Sequence, residues 1–156
     1  MRKINDILKQ CDIKEIIGDD NRLVSGLAFD SRKCTEGMAF FAIRGTQVDG
    51  HEFIAKVIDQ GCRIVVCEQV PSIQNDDVTY YVVENTAKSL GYAASEFYGR
   101  PSEKLRLVGV TGTNGKTTIA TLLYRLFYNA GYPCGLLSTI ENRINEVFQD
   151  SGIKVY

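Results

Sequence analysis

The run VTGTNGKTT, residues 110–118, constrains what this chain can fold into more than any other feature. It follows an apolar stretch, LRLVGV over residues 105–110. It opens a segment in which Ile119, Leu122, Leu123, Leu126 and Phe127 recur at helical spacing, and Gly131 and Pro133 end that segment. Strand, glycine-rich turn and helix in this order predict a phosphate-binding loop. Glycines let the backbone curl with its N–H groups inward, and the helix N-terminus adds positive dipole. Lys116 stands where a lysine reaches terminal phosphates, and Thr117 where a hydroxyl holds Mg²⁺. The first glycine of the general pattern G-x-x-x-x-G-K-[ST] would fall on Val110. Gly112 serves instead, so the loop is a shortened variant. The chemistry implied is binding of a nucleoside triphosphate by Gly112, Thr113, Asn114, Gly115, Lys116, Thr117 and Thr118.

The remaining chain alternates strand and helix signals. Ile4, Ile7, Leu8 and Cys11 predict a helix over residues 3–11. Residues 23–30 and 38–44 read as strands, the second (MAFFAIR) rich enough in aromatic and branched side chains to be buried. Ile54, Val57 and Ile58 predict a helix over 51–60 that stops at Gly61, and RIVVC (63–67) and residues 79–83 predict two further strands. Asn85 or Thr86 caps a helix with Leu90, Ala94, Phe97 and Tyr98 on one face, closed by Gly99. Tyr80, Tyr81, Tyr92 and Tyr98 read as core and rim. The fold class is α/β, with a break at the polar, proline-containing residues 100–103 that separates residues 1–100 from 101–156. Residues 134–140 predict a strand parallel to 105–110, completing a βαβ unit of a parallel sheet. A domain takes on the order of 100–150 residues. The second unit therefore reads as the opening of a longer, truncated domain.

Composition closes off other classes. Eighteen Lys and Arg against nineteen Asp and Glu leave a net charge of −1, so no basic field exists to hold nucleic acid or an anionic membrane. No apolar run approaches the ~20 residues of a spanning helix, and the start MRKINDILKQ is unlike a secretory signal. The expectation is a soluble cytoplasmic protein without membrane insertion. Five scattered cysteines without a C-x-x-C pair read as buried free thiols, and a lone His51, read as a polar cap or surface residue, excludes a multi-histidine metal site. Asp30 and Arg32 read by spacing as a surface ion pair or turn, and Asp49-Gly50-His51 as a turn with a helix cap.

The loop variant TGTNGKTT resembles the ATP loop of the Mur ligases, which build the peptide of bacterial cell-wall precursors. Asp30-Ser31-Arg32, GMAFFA at 37–42, Gly45 and DGHEF at 49–53 are similar to the N-terminal UDP-sugar domain of two enzymes of that family. The resemblance covers residues 20–145 or so. It implies a small UDP-N-acetylmuramoyl-binding α/β domain followed by the first βαβ unit of a P-loop domain. It implies ATP-dependent amide formation: a D-Glu carboxylate takes the γ-phosphoryl group, and the amine of a diamino acid attacks the acyl phosphate. Lys116 would be the catalytic cation, Thr117 a ligand of Mg²⁺, and Phe29, Ser31, Thr46, Gln47 and Val48 the UDP-sugar contacts. The partners implied are UDP-N-acetylmuramoyl-dipeptide and ATP.

Thr113 and residues 135–139 favour the enzyme adding meso-diaminopimelate or L-lysine over the one adding D-Ala-D-Ala. A noncatalytic UDP-sugar module is the alternative from another class. The tail, residues 145–156, reads as leaving the family pattern before its Thr-Thr-Pro segment. The metal ligands, the carbamylated lysine and the C-terminal domain would follow, so the expectation is a chain without ligase activity by itself.

Overall fold

The computed structural model describes residues 1–46 and 48–144 and the backbone of residues 147–150. It divides into two compact units, Met1–Leu105 and Arg106–Tyr156.

In the first unit a short pair, β1 (Arg2–Lys3) with β3 (Leu23–Val24), flanks a five-stranded sheet built from β2 (Ile13–Ile17), β4 (Gly26–Ala28), β5 (Met38–Phe41), β6 (Ile64–Cys67) and β7 (Thr79–Val83). The order is β2-β7-β6-β5-β4. The last four run parallel, and β2 lies antiparallel on β7. Parallel strands are buried on both faces, which is why their sequences (MAFF, IVVC, TYYVV) are continuous apolar runs rather than alternating ones. Consecutive residues go to opposite faces. Phe41, Ile64, Val66 and Tyr81 join a core with Ile4, Ile7, Leu8 and Ala93. Phe40, Val65, Cys67 and Tyr80 join the opposite core with Ile54 and Val57. The helices that cover these faces are α1 (Ile4–Ile7) and α3 (Thr86–Phe97) on the first and α2 (Ile54–Asp59) on the second. Asn85 caps α3 by accepting the Lys88 amide at 2.8 Å.

The structure corrects several sequence expectations. The first helix is one turn, because its C-terminal residues tighten into turns, Cys11 N–H donating to Leu8 at 2.9 Å. Tyr98 is 72% exposed, whereas Leu90 and Phe97 pack against the core from α3 beside the buried Thr86, Ser89, Ala93 and Glu96. Strand β2 has no counterpart in the sequence reading. The cysteines are all free, but only Cys34, Cys62 and Cys67 are buried, Cys11 and Cys134 half so. Burial pushes the Cys67 thiol up to about 12 and keeps it inert at neutral pH.

In the second unit, residues 106–110 form no strand, contrary to expectation. Helix α4 (Lys116–Asn129) leads to β8 (Gly135–Leu137), which pairs antiparallel with β9 (Glu141–Ile144), and β9 with β10 (Val147–Asp150). The expected parallel partnership of 105–110 with 134–140 is therefore absent among the described residues. Strand β8 stops at Leu137 because Ser138 turns the chain: its Oγ accepts the Glu141 amide at 3.1 Å and donates to the Glu141 carbonyl at 2.8 Å. On α4 only Tyr124 is buried, while Ile119, Leu122, Leu126 and Phe127 are exposed. Among the described residues no helix is long and apolar enough to cross a membrane.

Candidate functional site

Two places in the chain have the geometry of a ligand site. The first lies at the carboxyl ends of β4, β5 and β6, where parallel α/β sheets characteristically bind ligands. Strand β4 ends at Ala28 and delivers Phe29, Asp30 and Ser31. Strand β5 ends at Phe41 and delivers the 44–49 hairpin, and β6 ends at Cys67 and delivers Glu68. The register Ala28 to Phe40 and Phe41 to Val66 places all three ends on one edge.

At the first end, Asp30 forms a tight turn with Arg32. Its Oδ1 accepts both the Arg32 amide (3.0 Å) and Nε (2.9 Å), and Oδ2 accepts Nη2 at 2.7 Å. The Arg32 guanidinium, and then its amide, hold the Asp30 carboxyl down at about 2, below its ordinary 3.8. The charged turn is therefore fully formed above pH ~4 and opens only as pH falls through about 2. Between these partners Ser31 is 7% exposed, whereas Phe29, just outside the turn, is 64% exposed.

The 44–49 hairpin is closed by a bridge between Arg44 and Asp49 and by Gly45 N–H donating to the Val48 carbonyl at 3.0 Å. Thr46 and Val48 are exposed at its tip, and Gln47 lies outside the described residues. Asp49 starts the following 3₁₀ turn (Gly50–Phe53), its Oδ1 accepting the His51 amide at 2.9 Å, as the cap reading expects. The same oxygen meets His51 Nδ1 at 2.6 Å, and these two bonds, the amide first, hold Asp49 below the usual carboxylate range. The other ring nitrogen, Nε2, accepts the Glu68 amide at 3.0 Å and the Gln69 amide at 3.4 Å. That pattern assigns the Nδ1–H tautomer.

Arg44 Nε lies 3.3 Å from Glu68 Oε2 and 3.6 Å from Asp49 Oδ2. Glu68 Oε1 accepts the Thr86 amide at the start of α3, 3.1 Å away. Arg44 and Glu68 are absent from the sequence candidates, although a charge directly after each apolar run, MAFFAI and RIVVC, is the signal that marks them.

The second place is the loop before α4. Gly112 (φ 143°) and Gly115 (φ 74°) hold positive φ, a conformation that favours glycine and lets the chain turn into α4. Gly115 caps α4 with no side-chain hydrogen bond, and no acidic residue stands in the first turn to compete with an anion. Lys116 Nζ donates to the carbonyls of Gly112 and of Thr113, the latter at 3.2 Å. Thr113, Asn114 and Thr118 are exposed and Thr117 half-buried. These donors fit a polyphosphate. For Mg²⁺ the loop offers the Thr117 hydroxyl, and among the described residues no three His, Cys, Asp or Glu side chains gather to hold a metal.

Comparison with known proteins finds matches along most of the chain. A family model described as "Mur ligase family, catalytic domain" matches residues 23–98, and one described as "Mur ligase middle domain" matches residues 110–154. The second match runs through most of the tail that the sequence reading places outside the family pattern. A UDP-N-acetylmuramoyl-L-alanyl-D-glutamate--2,6-diaminopimelate ligase of Phocaeicola vulgatus is 51% identical over 144 residues, 92% of this chain and 30% of the relative. Among solved structures, a UDP-N-acetylmuramoyl-L-alanyl-D-glutamate--2,6-diaminopimelate ligase aligns over 97% of this chain and 30% of its own, with TM-score 0.70 and 21% identity, a likeness of fold. The MurF ligase of Thermotoga maritima, solved in complex with ADP, aligns over 69% of this chain and 23% of its own, with TM-score 0.51 and 30% identity. The chain spans about 30% of the length of the curated relatives it matches.

Proposed function

Because the chain belongs to the Mur ligase family, we propose that it supplies the nucleotide-sugar unit and the phosphate loop of an ATP-dependent ligase. The reaction is addition of 2,6-diaminopimelate to UDP-N-acetylmuramoyl-L-Ala-D-Glu. The observation that carries this reading is the loop of residues 111–118, with two positive-φ glycines and Lys116 at an uncapped helix start, in a chain 51% identical to a ligase of that name. The first unit binds the UDP moiety at the carboxyl edge of its sheet, with Phe29, Ser31, Thr46, Gln47 and Val48 as its contacts. Phe29 offers an exposed ring for the base, and the hairpin tip offers hydroxyl and backbone groups that suit a uridine diphosphate without a charged pocket.

In the second unit Gly112 to Thr118 hold the triphosphate of ATP. Lys116 exchanges its loop carbonyls for phosphate oxygens and meets the charge that develops as the γ-phosphoryl group passes to the D-Glu carboxylate. The Thr117 hydroxyl would be one ligand of Mg²⁺, which would supply neutralisation of phosphate charge.

Calorimetric titration of the chain with UDP-N-acetylmuramoyl-L-Ala-D-Glu, against UDP-N-acetylglucosamine, tests the proposal. Saturable binding that prefers the muramoyl ligand by at least about tenfold is expected. Equal affinity for both ligands, or none for either by a folded chain, contradicts it.

A further inference from the structure

We propose that His51 is a positioning residue of the nucleotide-sugar site. Its imidazole ties the 44–49 hairpin to the carboxyl end of β6, so that Thr46 and Val48 are presented in one fixed place. The inference rests on the reading of that hairpin as a UDP-sugar contact.

A histidine that only began the helical turn would need no more than its backbone amide, which Asp49 already accepts at 2.9 Å. The ring does something further. It is 14% exposed, it donates from Nδ1 to Asp49 on the hairpin side, and its Nε2 accepts the amides of Glu68 and Gln69 just beyond β6. One flat side chain thus spans two segments 17 residues apart in sequence. Glu68 extends the tie by accepting the Thr86 amide of α3 through Oε1, while its Oε2 faces Arg44 at the base of the hairpin.

At its base the hairpin is also held by Arg44 against Glu68 and by the Gly50 amide on the Ile43 carbonyl. Its tip residues Thr46 and Val48 are exposed, and its own hydrogen bonds close the turn without fixing its direction. Ordering such a loop in advance of binding spares the ligand that cost, so loss of the tie should appear as lost affinity. Asp49, Arg44 and Glu68 are the charged groups facing the ring or its partners, and the ring links the first to the backbone of the third.

The two nitrogens can be separated chemically. In His51→Asn the amide nitrogen stands near the Nδ1 position and keeps Asp49, but nothing accepts from β6. In His51→Gln the amide oxygen stands near the Nε2 position and accepts the Glu68 amide. The experiment measures calorimetric affinity of the full chain for UDP-N-acetylmuramoyl-L-Ala-D-Glu, with amide hydrogen exchange at Glu68 and Gly45 in the ligand-free chain. His51→Ala and His51→Asn are expected to bind about tenfold more weakly and to exchange faster at both amides. His51→Gln should stay within about threefold of the parent. If the alanine variant fails to fold, the Asn and Gln pair still decides.

Equal affinities across the folded variants, or equal losses in Asn and Gln, overturn the proposal. A parent chain that binds no ligand while the exchange at Glu68 still follows residue 51 overturns it through its premise, the UDP-sugar reading, and leaves the tie itself as a structural bond.

Discussion

Gly50→Ala is expected to lower the melting temperature of the first unit by about 15 °C. A Cβ at position 50 would stand 2.6 Å from the Ile43 carbonyl oxygen and 2.7 Å from the Ile43 nitrogen, with the Ala42 carbonyl carbon at 3.1 Å. All three are backbone atoms at the carboxyl end of β5, so no side-chain rotation relieves the contact. Relief requires the chain to move and breaks the Gly50 N–H bond to Ile43, now 2.8 Å. A cost of ~3 kcal/mol follows from overpacking and the lost bond. At roughly 4–8 °C per kcal/mol for a unit of this size, that gives the stated shift. Gly91→Ala is the contrasting case: it lies in α3 with nothing within 4 Å of its added Cβ, and should stabilise by about 1 kcal/mol through helix propensity. Thermal unfolding followed by circular dichroism checks both, and a Gly50→Ala chain that melts with the parent contradicts the packing described for the base of the hairpin.

Lys116→Ala is expected to lower affinity for MgATP about 100-fold while leaving the melting temperature within about 4 °C. The ammonium is exposed and its present partners are two loop carbonyls, so its loss costs the fold little, of the order of 0.5 kcal/mol or less. In the nucleotide complex the same group makes charge-assisted bonds to phosphate, together worth about 2.7 kcal/mol. Titration of parent and variant with MgATP at one ionic strength measures the ratio. Unchanged affinity would remove Lys116 from the phosphate site.

What the sequence made legible follows from how each residue's role is encoded. The runs MAFF, IVVC and TYYVV announce strands because both their faces are buried, and the residues around Lys116 announce a loop because glycine and lysine must fall at fixed offsets for the backbone to curl. Strand β2 was not legible: its middle residues Lys14 to Ile16 are exposed, and what makes IKEII a strand is the edge of β7 it pairs with. Helix α4 was legible as a helix, but periodicity alone did not say that Tyr124, rather than Leu122 or Leu126, would be the covered residue. At the candidate sugar site the Asp49 cap was readable because its partner is two residues away. The ring of His51 was not, since Glu68 reaches it only after the chain has passed through α2 and β6. Ser31 entered as a sugar contact through the resemblance alone, and its burial to 7% exposure beside the Asp30–Arg32 pair was not readable from sequence.

The central claim, one chain with a nucleotide-sugar site in its first unit and a phosphate site in its second, is tested most directly by mapping amide chemical shifts of the labelled chain during separate titrations. UDP-N-acetylmuramoyl-L-Ala-D-Glu is expected to move residues 29–31 and 44–49, and MgATP residues 111–118. Shifts from the sugar nucleotide centred instead on Arg22, Glu36 and Arg63, which line a cavity that also includes Met38 and Ile64 at the starts of β5 and β6, would contradict the account.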